Sequence, residues 1–178
     1  MMISTIQAAL LRELAAVQRS IEAYPDDASL WALPTGLPNA GGTLGLHLAG
    51  NLQHYVGAVL GGSGYRRDRA AEFARRDVPR AELLAELSAT ITAVERTLPT
   101  LSEQSLAQPY PETIGGQTLT TGAFLVHLAT HLAYHLGQLD YHRRAVTGDA
   151  RGVGAVSPVA EQVSSAWIAR PSPARRGD

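Results

Sequence analysis

The sequence predicts an all-α protein built as a four-helix bundle with a C-terminal extension. Three observations predict it. Four long segments repeat apolar residues at a 3–4 spacing, turn-rich connections separate them, and 178 residues suffice for one domain with a real core but are short for two. The first helix runs from about residue 4 to residue 24. Ile6, Leu10, Leu14, Val17 and Ile21 form its stripe, and Pro25-Asp26-Asp27 ends it. A loop follows over residues 25–42, with Trp31, Pro34, Gly36, Pro38 and two adjacent glycines. The second helix spans about residues 43–60, with Thr43 as a plausible cap, and stops at Gly61-Gly62-Ser63-Gly64.

The connection YRRDRAAEFARRD carries charge on all sides, so it reads as a solvated loop and short helix outside the core. Acids interrupt it throughout, which argues against a nucleic-acid patch. Pro79 opens the third helix, where its missing N–H costs nothing. Leu83, Leu87, Ile91, Val94 and Leu98 form the stripe, and Pro99 ends it. The loop over residues 102–116 predicts a hairpin or extended piece near Tyr110. The fourth helix starts at Thr120 or Thr121 and reaches about Val146, before Gly148. The bundle thus occupies residues 1–146. Residues 147–178 form a Gly/Pro/Ser/Arg-rich extension, with a short helix expected around residues 159–169.

Composition narrows the chemistry. Hydrophobic residues make up 45% and charged residues 17%, a globular balance. All fifteen basic residues are Arg, against sixteen acids, so no basic excess recommends nucleic acid and no lysine mechanism is open. Absence of Cys removes thiol nucleophiles and Cys-ligated metals, leaving His and carboxylate as ligands. No apolar run reaches transmembrane length and no signal peptide opens the chain, so the expected location is the cytoplasm. Gly61-Gly62-Ser63-Gly64 ends a helix and lacks a following GK[ST], so it is not a phosphate loop.

Four of the six histidines, His127, His131, His135 and His142, lie within sixteen residues of the fourth helix. His131 and His135 are one turn apart, so both rings can converge on one ion. Two such residues need a third ligand from a facing helix. His47 supplies it, a polar ring among Leu46, Leu48 and Ala49; His54, seven residues on, competes for the role. His127 is expected to pack or support. His142, beside Arg143 and Arg144, is expected to face solvent.

These motifs, HLAGNLQHYVG early in the second helix and HLAYHLGQL in the fourth, resemble the DinB/YfiT-like superfamily over most of the chain. The resemblance implies a bundle holding a divalent metal, zinc or nickel, on His47, His131 and His135. It also implies a small-molecule substrate, a homodimer, and reactions of two kinds. These are metal-dependent hydrolysis, and S-transfer or isomerisation with a low-molecular-weight thiol such as bacillithiol or mycothiol. The relatives often carry Arg after the second of the paired histidines, where this chain has Leu136.

A general acid or base is not singled out. Glu103, Glu112 and Asp140 are the acids nearest these segments, and Asp140 turns away from the face of His135. Tyr55, Tyr110 and Tyr134 are candidate proton donors. Two other readings stay open: a non-catalytic module whose metal ties two helices together, and a plain helical dimer without metal.

Overall fold

Apolar stripes draw four long helices around one core in the computed structural model of the chain, which describes residues 2–154. They are α1 (Met2–Glu22), α3 (Gly41–Leu52, continued by a π-helical stretch, Gln53–Leu60), α5 (Arg80–Thr97) and α6 (Thr121–Thr147). Two short helices, α2 (Asp27–Trp31) and α4 (Arg69–Ala74), lie between them. Helix α1 packs against α5 and α6, and α3 packs against the same two. The consecutive long helices α1 and α3 therefore face each other across the core. Helix α3 runs antiparallel to α6: His47 meets His131 and His135, while Tyr55, further along, meets Phe124.

Every residue of Gly41–Leu52 is buried. A helix without a polar face must be covered on all sides, and α2 and α4 complete the cover of α3. This explains two departures from expectation. Gly41 and Gly42, read as loop, belong to the helix. A methyl on Gly41 would collide with the Tyr24 hydroxyl and one on Gly42 with the Trp31 indole, so glycine permits both approaches. Thr43 is accordingly a buried residue inside the helix and not its cap; Ala40 stands at that position. The expected loop over residues 25–42 also contains α2, capped by the Asp26 side chain, which accepts from Ser29 N.

Helix α5 follows Pro79 as expected and ends in a 3₁₀ turn, Leu98–Thr100, that takes in Pro99. Near Tyr110 the backbone doubles back. Tyr110 N donates to Leu119 O and Thr121 N to Gln108 O, each at 2.8 Å. These bonds make one isolated antiparallel bridge, Pro109 with Thr120; a second pairs Ile114 with Gln117, and no strand forms among the described residues. The hydroxyl of Thr120 caps α6, and Gly148, at φ 70°, ends it by donating to Arg144 O. Beyond it, Arg19 Nε donates to Val153 O at 2.9 Å. The helix expected over residues 159–169 lies outside the described residues. Among those described, no helix is long and apolar enough to cross a membrane.

Candidate metal centre

The antiparallel register of α3 and α6 places His47 beside two imidazoles one turn apart. The ring centroids of His47 lie 5.2 Å from those of both His131 and His135, which are 4.5 Å from each other. The rings stand edge-on to one another, at 75° to 88°. One ring nitrogen from each falls within 4.8 Å of the others. His47 Nε2 and His131 Nε2 are 3.3 Å apart. Nitrogens bound tetrahedrally at about 2.0–2.1 Å from zinc stand roughly 3.4 Å apart, so this pair already has the spacing a shared ion requires.

The outer nitrogens hold two of the rings in place. His47 Nδ1 donates to Glu72 Oε2 at 2.9 Å, and His135 Nδ1 donates to Gln138 Oε1 at 2.7 Å. Both bonds are made by Nδ1, and the other ring nitrogen of His47, Nε2, faces His131. His131 Nδ1 is buried with no hydrogen-bond partner among the described residues, so only Nε2 has a polar neighbour. Burial, then the neighbouring His135 and His47, pushes the His131 pKa down to about 4. Burial also lowers that of His135, against the opposing effect of the Gln138 bond. Both are therefore neutral at ordinary pH, the form that ligates a metal. Three imidazoles that each bring one ring nitrogen to a common point fit a divalent ion, and these three could hold one.

Glu72 was not among the acids the sequence suggested. It lies on α4, only 6% exposed, in the connection expected to be solvated. Burial alone would raise its pKa, but bonds from His47 and Arg67 outweigh it and hold the carboxyl below its usual range. Arg67 donates through Nε to Oε1 at 2.7 Å and through Nη2 to Oε2 at 2.9 Å, with its guanidinium 5.4 Å from the centre of the Tyr55 ring. A signal for Glu72 existed: a second helix with no polar face needs cover, and a buried His47 needs an acceptor. The charged connection was the segment able to supply both. A cleft of about 430 Å³ between α4 and α5, lined in part by Asp68, Arg75 and Glu86, adjoins Glu72 from the other side.

The remaining candidates lie apart. His54 is bound to Glu112 at 3.1 Å and is not in the cluster, because seven residues carry it about 10 Å further along the axis. His127 is exposed and stacks on Phe124. His142 is not solvent-facing, contrary to expectation: it is 3% exposed, bonded to the Tyr24 hydroxyl at 2.7 Å and the Ala32 carbonyl at 2.9 Å. The segment before α3 folds over that end of α6 and covers it. Asp140 is taken up by Arg143 and Arg144, and Glu103 accepts from Ile3 N at the start of α1. Tyr110 donates to Tyr55 O at 2.8 Å, and burial raises its pKa, so its proton is committed. Tyr134 is exposed with its ring 5.2 Å from that of His135.

Residues 9–139 match the family model of the DinB superfamily, a span that includes all three clustered histidines. No curated protein and no solved structure matches the chain.

Proposed function

The chain belongs to the DinB superfamily, and from that premise we propose that it is a metal-dependent enzyme in which His47, His131 and His135 hold one divalent ion, zinc or nickel. The observation that supports this reading is the meeting of three imidazoles from two helices, with one ring nitrogen of each within 4.8 Å of the others. When bound, such an ion supplies Lewis acidity and lowers the pKa of water or a thiol set against it. The protein's own part is to orient and to shield. Glu72 and Gln138 bond the Nδ1 atoms of His47 and His135, and Phe73, 4.9 Å from the His47 ring, closes one side. The exposed Tyr134 and His127 border the cluster and are the groups placed to exchange a proton at its rim.

The reaction we propose is attack on an electrophilic small molecule, either by water, making a hydrolase, or by a low-molecular-weight thiol such as bacillithiol or mycothiol, making an S-transferase or isomerase. With no Cys in the chain, no protein thiol competes for the ion. A second reading, a non-catalytic module in which the ion ties α3 to α6, draws support from Glu72. It is the carboxylate that touches the cluster, and Arg67 and His47 already engage it. The homodimer belongs to the same proposal, and sedimentation of the purified chain measures it.

Elemental analysis of protein purified without a His-tag or nickel column tests the centre. One ion per chain is expected, and none in a His131→Ala, His135→Ala double variant. Equal metal content in the two would rule the centre out. Turnover of a thiol with an electrophile, or of simple esters, should disappear with chelator and return with metal. Metal without turnover of either kind favours the non-catalytic module.

A further inference from the structure

Helix α4 carries a carboxylate that touches the His47 ring. Glu72 is buried, yet α4 is a six-residue helix in a chain segment otherwise rich in exposed charge. The fold makes room for it: a methyl on Gly50 of α3 would collide with the Glu72 carboxylate. Arg67 fixes it by a two-point bond, and His47 completes its hydrogen bonding. Arg67 also brings a competing donor, since its Nη2 lies 3.4 Å from His47 Nδ1. Two groups thus face the same ring nitrogen, one acceptor and one donor. With the carboxylate oxygen as acceptor, Nδ1 is a donor and Nε2 is free. Without that acceptor, Arg67 Nη2 would face Nδ1, Nδ1 would become the acceptor and the proton would sit on Nε2, the atom that points at His131.

We propose that Glu72, clamped by Arg67, is a positioning residue that sets the tautomer of His47 and thereby presents Nε2 to the metal. The inference rests on the metal reading above for its consequence, but the tautomer is a property of the protein alone. Glu72→Leu is the sharpest test. It removes both carboxylate oxygens and leaves Arg67 Nη2, 3.4 Å away, as the polar neighbour of His47 Nδ1, so Nδ1 becomes an acceptor and the proton moves to Nε2. A residue that only packs α4 against α3 would leave the tautomer unchanged when it is replaced by an apolar side chain.

The experiment reads His47 ring ¹⁵N shifts in metal-free protein and Zn²⁺ affinity by competition with a chromogenic chelator. The expected wild-type ring is Nδ1–H. Glu72→Leu should convert it to Nε2–H and weaken Zn²⁺ about 10–100-fold. Glu72→Asp, which keeps the carboxylate, should retain Nδ1–H, and it serves if Glu72→Leu does not fold. An unchanged His47 tautomer in Glu72→Leu, or an inverted one in Glu72→Asp, overturns the proposal. Absence of Zn²⁺ binding in the wild type would sink the metal reading instead, while the shifts still decide the role of Glu72.

Discussion

His142 is held between the Tyr24 hydroxyl and the Ala32 carbonyl, and this has a consequence for stability. Its Nε2–H donates to Ala32, so Nδ1 accepts from Tyr24 and the ring is neutral. Burial lowers its pKa below the ordinary 6.5, with the Ala32 bond opposing. The folded state then binds fewer protons than the unfolded state at pH values between the lowered pKa and 6.5. Stability therefore rises with pH across that window, is complete above about 6.5, and declines as the pH falls below it. Urea midpoints at pH 8 and pH 5 should show the decline in the wild type. His142→Gln should be less stable at pH 8 but show a smaller drop. The slope will not vanish, because His131 and His135 are depressed in the same direction. An equal drop in the two proteins would remove His142 from the account.

Helix α4 is too short to stand alone, since isolated helices of under about 12–15 residues are marginal in water. Its Asp68 cap, accepting from Ala71 N at 2.9 Å, and the Glu72 contacts hold it in place. Asp68→Ala should cost roughly 1 kcal/mol locally. Amides of α4 should exchange faster, and Zn²⁺ should be held more weakly, with little change in the global urea midpoint. Protection of α4 unchanged in that variant would show that the cap does not govern it. Elements of this size also mark where sequence reading stops. The four long helices announce themselves because each repeats its stripe over several turns, as Ile6 to Ile21 does in α1. Helices α2 and α4 span one turn or little more and leave no period to detect. The π-helical stretch has no compositional mark at all. The candidate centre follows the same division. His131 and His135 are visible because helical geometry fixes their separation, and His47 because a polar ring stands among apolar neighbours. Glu72 depends on which segment folds over α3, a tertiary fact that the charges of its neighbours disguised.

At the scale of the whole molecule, the centre joins helices that lie nearly half the chain apart. His47 and His131 are 84 residues apart, and they meet only once α1, α5 and the loops have brought α3 against α6. The unfolded chain has no such site, so an ion bound there stabilises the folded state alone. At a free concentration 100 times the dissociation constant the gain is about 2.7 kcal/mol. For a domain of this size that corresponds to a rise of roughly 5–10 °C in melting temperature. Wild-type protein stripped of metal should therefore melt that much lower than protein with excess Zn²⁺. The His131→Ala, His135→Ala variant should melt at one temperature with or without the ion. His54→Ala and His127→Ala should keep the full rise, since neither ring belongs to the converging set. A rise that survives in the double variant would place the ion elsewhere, and a rise lost in His54→Ala would make the π-helical stretch part of the centre.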